Sequence, residues 1–248
     1  MNTVLVIPAR YASSRLPGKP LRELAGKPLI QHVHERALAA GFATVLVATD
    51  DERIRRVCEG FGAKVAMTAS THETGSDRLA EVVQQQGWSD DTIVVNLQGD
   101  EPLTPVVNLH QLAKNLADYP QASIATLATP ITHVDDFSNP NIVKVVRDEQ
   151  GLALYFSRAP IPFQRDAGVA LEKYALRHIG MYAYRAGFLK AFAGMQPSLP
   201  EQLEKLEQLR ALSHGYRIHV DIAVEIPGGG VDTEEDMHKI SAILSAVG

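Results

Sequence analysis

Thr3-Val4-Leu5-Val6-Ile7, followed at once by Pro8-Ala9-Arg10-Tyr11-Ala12-Ser13-Ser14-Arg15-Leu16-Pro17-Gly18-Lys19-Pro20, decides how this chain folds. The opening run is apolar and mostly β-branched, with no polar alternation. It reads as a strand buried on both faces. The segment after it carries three cations, Arg10, Arg15 and Lys19, with two hydroxyls and prolines flanking Gly18. Ligands of an open α/β sheet sit beyond the carboxyl ends of its strands, so a cationic loop at that place suits a polyphosphate. Guanidinium forks take phosphate oxygens in pairs, and lysine adds a point charge. A solvated basic loop is the commoner fate of such a cluster. Its direct attachment to the first strand favours the binding loop here.

Outward from this stretch, strand and helix patterns alternate. Residues 28–40 read as a helix stopped by Gly41, 44–48 as a second strand, and 49–52 as a helix start followed by Ile54, Val57, Cys58 and Phe61 at helical spacing. Strand 64–67, helix 75–86, strand 92–97 and helix 106–116 continue the series. Such alternation predicts a mostly parallel sheet with crossover helices. Beyond residue 120 the pattern changes. Segments 123–128, 142–146 and 153–156 are strand-like without helices between them, and are expected at the sheet edge, partly antiparallel. A charged, proline-bearing loop (158–174), a strand (179–184), helices 186–192 and 201–212, a strand (217–222), a Gly-rich loop and a helix (233–244) complete the chain.

The chain has 248 residues, 45% hydrophobic, and a net charge of −5. One domain over 1–248 is expected. The acidic balance excludes broad nucleic-acid binding, so any anion site must be a local concentration of cations. Cys58 is the single cysteine, which excludes an internal disulfide framework and fits a reducing compartment. The first apolar run is only a strand long, so neither a signal peptide nor a membrane-inserted helix is expected, and the chain reads as soluble and cytoplasmic.

Three further motifs bear on chemistry. Asn96-Leu97-Gln98-Gly99-Asp100-Glu101-Pro102 leaves strand 92–97 at the same sheet edge as the basic loop. An acid facing a polyphosphate calls for a hard divalent cation between them, and Mg²⁺ takes one or two carboxylates plus phosphate oxygens; a helix-capping turn is the plainer alternative for Asp100. His72-Glu73-Thr74-Gly75-Ser76-Asp77-Arg78 opens a helix, where hydroxyls and unpaired N–H groups suit an anion or a base edge that Arg78 could reach, or serve as an ordinary cap. Pro227-Gly228-Gly229-Gly230-Val231-Asp232-Thr233-Glu234-Glu235 offers Asp232 as a helix cap, with Glu235 at capping-box spacing. Asp232 becomes a second metal carboxylate only if its helix returns beside strand 92–97. The glycines make that loop either mobile or tightly folded. Arg158, Arg165, Arg177, His178, Tyr182, Tyr184, Glu207 and Gln208 are polar types that bind a carboxylated, hydroxylated sugar, but their spacing alone does not assemble a site. No GxxxxGK[ST] and no GxGxxG is present, which weighs against a P-loop or a dinucleotide enzyme.

Together, PARYASSRLPGKPL, ATDDERI, HETGSDR, VNLQGDEP, NPNIVKVV, ALYFSRAPIP, RHIGMYAYR, LEQLRAL and GVDTEEDM resemble the 3-deoxy-manno-octulosonate cytidylyltransferase family, in order and over nearly the whole chain. The resemblance implies a Rossmann-like α/β nucleotidyltransferase fold with an added edge and dimerisation part, and a homodimer. About 1–128 becomes the CTP-binding half and about 129–248 the sugar-binding and dimerisation half. The implied reaction is Mg²⁺-dependent: CTP and 3-deoxy-D-manno-octulosonate (Kdo), or its 8-amino form, give the CMP-sugar and pyrophosphate, for lipopolysaccharide assembly. Carried over by motif, Arg10, Arg15, Lys19 and Asp100 are catalytic, Ala9, Arg10, Lys19, Ser76, Arg78 and Asp100 hold the nucleotide, and Asp100 and Asp232 hold Mg²⁺. Gln98, Arg165, His178, Tyr182, Glu207 and Gln208 hold the sugar. One departure is visible: the family usually reads Ser-Gly-Thr where this chain has Thr74-Gly75-Ser76. A cytidylyltransferase for another acidic sugar, a sugar-phosphate nucleotidyltransferase and a non-catalytic nucleotide-binding protein are the competing readings.

Overall fold

The computed structural model describes residues 2–12, 16–72, 74–166 and 168–247. In chain order, β1 (Thr3–Ala9) leads through a 3-10 turn at Lys19–Leu21 into a hairpin, β2 (Glu23–Leu24) and β3 (Lys27–Pro28). Then come α1 (Leu29–Ala39), β4 (Val45–Thr49), α2 (Glu52–Gly60), β5 (Val65–Met67), α3 (Gly75–Gln85), β6 (Ile93–Asn96) and α4 (Val106–Asp118). The rest is β7 (Ile124–Pro130), α5 (Val134–Ser138), β8 (Lys144–Arg147), β9 (Ala153–Ser157), β10 (Leu176–Arg185), α6 (Ala186–Phe192), α7 (Leu199–Glu204), α8 (Gln208–Ser213), β11 (Ile218–Ile222) and α9 (Glu234–Val247).

One sheet runs in the order β11-β7-β10-β6-β1-β4-β5, with β8 beside β10 and β9 beside β8. β1 lies parallel between β4 and β6, with Leu5 opposite Val45 and Val95. Its side chains alternate between two cores, Leu5 and Ile7 packing on one face and Val4 and Val6 on the other. Both faces are covered over Val4–Ile7, which is why those four positions carry no polar residue.

The second half departs from expectation in four ways. Segment 123–128 is not an edge addition. It lies in β7, which is parallel to β11 and one strand inside the sheet. The short helix α5 interrupts the strands that follow it. β10 is the reversed strand, antiparallel to β6 on one side and β7 on the other, with a register shift between Ile179 and Tyr182. The single helix expected over 201–212 is two helices. A Ser198–Glu201 capping box starts α7, and Lys205, at φ 53°, ends it.

Lys144 is completely buried, and its Nζ donates to the carbonyls of Asn139 (2.9 Å), Ile142 (2.6 Å) and Arg158 (2.6 Å). Burial lowers its pKa, and the three acceptors compensate the ammonium while tying the 139–142 turn to the start of the 158–174 loop.

Candidate active site

A cavity of about 470 Å³ opens at the carboxyl ends of β1 and β6, lined by residues 8–10, Lys19, Thr74, Arg78, residues 98–100 and Asp232. Lys19 enters from the 3-10 turn, whose preceding Gly18 is left-handed at φ 68°. Its Nζ donates to Asp100 Oδ2 at 2.6 Å, to the Val231 carbonyl at 2.8 Å and to Asp232 Oδ1 at 3.2 Å. The two acids therefore converge on the N-terminal loop.

The condition placed on Asp232 is met by the return of α9. Val231 N donates to the Asp100 carbonyl at 2.9 Å, Arg22 pairs with Glu234, and Ala25 N donates to Ser241 Oγ at 3.2 Å. Asp232 does not act as the helix cap. Thr233 and Asp236 exchange the capping bonds, and Asp232 turns its carboxylate to Lys19. The glycine loop is tightly folded: a Cβ on Gly230 would sit 2.6 Å from Glu101 Oε1. Gly99 is equally constrained, since its Cβ would meet the Pro8 carbonyl oxygen at 2.7 Å. Close backbone approach, rather than flexibility, is what these glycines provide.

Glu101 lies beneath the acid pair. Burial, and then the charges of Asp100 and Asp232, push its carboxyl up to about 7 against the opposing effect of Lys19. Asp100, Glu101 and Asp232 bring three carboxyl groups to the neighbourhood of this ammonium. Among the described residues, no group of three or more His, Cys, Asp or Glu is arranged to hold a metal by itself.

The other expected residues divide. Ala9 and Arg10 line the cavity, whereas Arg15 lies outside the described residues. Arg78 lines it too, its guanidinium donating to Asp50 Oδ2 at 3.1 Å and to Thr68 Oγ1. Ser76 is not among the residues that line it. Its hydroxyl donates to Glu207 at a small void of about 20 Å³ that Tyr182, Tyr184 and Gln208 also line. Burial raises the pKa of Glu207 and of Tyr182. Gln98 borders both the main cavity and a second one of about 240 Å³, which His178, Arg177 and Glu101 also line. His178 packs against the Phe156 and Tyr182 rings, and burial holds its imidazole at about 3. Arg165 is exposed and lines none of these three spaces. Cys58 is a buried core residue, its thiol pushed up to about 12 by burial. Sequence reasoning missed Asp50 and Thr68 behind Arg78. The acid in Ala48-Thr49-Asp50-Asp51 was the available signal.

A sheet that runs parallel through β6, β1, β4 and β5, and whose first-strand loop presents a lysine to two carboxylates at the strands' carboxyl edge, defines a nucleotidyltransferase-type site. The family model described as Cytidylyltransferase matches residues 4–221. The chain belongs to this family, and within it to the 3-deoxy-manno-octulosonate cytidylyltransferases. A curated relative of that name from Thioalkalivibrio sulfidiphilus is 57% identical over 99% of this chain and 100% of its own length. Another, from Pasteurella multocida, is 53% identical over 98% of each. A solved CMP:2-keto-3-deoxy-manno-octonic acid synthetase complexed with CTP superposes with a TM-score of 0.91 at 44% identity, covering 100% of both chains.

Proposed function

We propose that this protein transfers CMP from CTP to Kdo, releasing pyrophosphate, and that Asp100 and Asp232 hold the Mg²⁺ the reaction uses. The observation that carries the site assignment is the meeting of Lys19, Asp100 and Asp232 at one end of the main cavity. Two carboxylates completed by substrate phosphate oxygens form a usual Mg²⁺ set. Mg²⁺ bound there supplies charge neutralisation at the phosphoryl oxygens.

The sugar's anomeric oxygen attacks the α-phosphorus in line. A new O–P bond forms, the bond to the β-phosphate bridging oxygen breaks, and the hydroxyl proton passes to solvent. Positioning and charge dominate such transfers. Arg10 and Lys19 bind the triphosphate and offset the charge that grows on pyrophosphate. Ala9 and Gly99 let the nucleotide approach the backbone. Gln98, which borders both larger cavities, is placed to orient the sugar at the reacting phosphate. His178, Tyr182, Glu207 and Gln208 serve the sugar side with it. We assign the protein to the cytoplasm. No helix of the described residues is long and apolar enough to cross a membrane.

A homodimer is part of this reading. Leu154, Tyr155 and Phe163 are exposed, Phe163 at 86%, on the outer strand β9 and in the loop after it, an apolar surface that suits a second copy. Pyrophosphate release with CTP, measured with Kdo and its 8-amino analogue, with and without Mg²⁺, tests the activity. Turnover that needs both CTP and Mg²⁺ is the expected result, and release that persists in chelator removes the metal assignment.

A further inference from the structure

Arg78 is a charged residue of the main cavity that is almost wholly buried, 3% exposed. A guanidinium keeps its proton in a protein, so it is buried only with a partner. Asp50, just past β4, is that partner, and Thr68, just past β5, takes a second N–H. Neither lines the cavity. Both stand behind the fork and fix its direction, leaving its remaining donors for the space it borders.

The strand order β6-β1-β4-β5 places these groups along one edge. Asp100 follows β6, Arg10 follows β1, Asp50 follows β4 and Thr68 follows β5. Adjacent strands are about 4.8 Å apart, so Arg78's anchors stand roughly 10–14 Å along the edge from Asp100. Lys19 and Arg10 serve the phosphate end. A fork already matched by a carboxylate is a weak phosphate clamp and a good donor to a flat, neutral acceptor edge. Cytosine presents two acceptors there, O2 and N3. Uracil carries a proton on N3 and would set N–H against N–H.

We propose that Asp50, backed by Thr68, is the positioning residue that holds Arg78 in register with the base and thereby sets a preference for CTP over UTP. The proposal rests on the reading of this cavity as the CTP site. The experiment compares kcat and KM for CTP and for UTP, at saturating Kdo, in the parent, Asp50→Asn, Asp50→Glu and Thr68→Val. Asp50→Asn is expected to lower the CTP:UTP ratio of kcat/KM by about tenfold, mostly through the CTP KM. Thr68→Val should shift it the same way by less, and Asp50→Glu should keep most of the preference. An equal loss for both nucleotides, or an unchanged ratio in folded Asp50→Asn, overturns the proposal while leaving the activity standing. Failure of the parent to use CTP at all overturns the activity itself. Should Asp50→Asn not fold, Thr68→Val decides: a lowered ratio supports the proposal and an unchanged one ends it.

Discussion

Lys19 and Asp100, 81 residues apart in the chain, meet at 2.6 Å, and Asp232 joins the same ammonium from 213 residues away. Lys19 is largely buried while Asp232 is half exposed, so the cation is fixed and the acids keep a face to the cavity. A carboxylate held this way is available to a divalent ion and a phosphate together.

Asp100→Asn keeps the shape and removes the charge. Its turnover is expected to fall by at least about a hundredfold, with the thermal unfolding midpoint close to that of the parent. Pyrophosphate release and a melting curve check this. Near-normal turnover would remove Asp100 from the metal.

Lys19→Ala is expected to lower kcat more than it raises the sugar KM, since the ammonium acts on charge that develops as pyrophosphate leaves. Steady-state kinetics with varied Kdo separate the two. A raised sugar KM at unchanged kcat would contradict the assignment.

Ser76→Ala strips the half-buried Glu207 of a donor, and a loss of about 1–3 kcal/mol in unfolding free energy is expected. The double exchange Thr74→Ser with Ser76→Thr should restore near-parental stability and activity. Thr74 caps α3 and Ser76 bonds Glu207, and either hydroxyl residue can do either task. Urea unfolding of both variants is the check. A double exchange as unstable as Ser76→Ala would show that the order of the two matters.

His178 gives a pH dependence of definite sign. Its folded pKa, about 3, lies below the ordinary 6.5, so the unfolded chain binds the extra proton first. The stability it contributes is present above about 6.5 and is lost as the pH falls towards 3. His178→Gln should flatten the fall in urea midpoint across that window. Identical slopes for parent and variant would argue against a buried neutral imidazole.

Gly99→Ala puts a methyl group 2.7 Å from a backbone oxygen that has no rotamer to escape into. A loss of about 1–3 kcal/mol is expected, with a drop in kcat as the Asp100 turn and the Arg10 loop are forced apart. Stability and kcat measured together test it. An unaffected enzyme would mean the two segments separate freely.

What could be read beforehand follows from local signals. The β1 run and the β6 turn are short, strongly apolar or strongly polar, and carry their meaning within ten residues. The break between α7 and α8 was not readable, because Leu203-Glu204-Lys205-Leu206 has helical spacing and Lys205 carries no glycine signal. Glu204 decides it. Its carboxylate accepts from Ser157 Oγ at 2.6 Å and from Arg158 N at 2.8 Å, which pulls the helix end onto β9. The place of β7 was hidden for a related reason, since an inner strand and a covered edge strand show the same apolar run.

The sequence alone determined the alternating strands and helices, the cationic loop after β1, the acids at 100 and 232, and the family. Burial preferences and turn residues act over a few positions, so they are written in order along the chain. Only the tertiary structure decided that α9 returns to bring Asp232 to Lys19, that Ser76 serves Glu207, and that Asp50 stands behind Arg78. Those are pairings between segments far apart, set by strand order and by the satisfaction of buried charges, and no local pattern encodes which partner is chosen.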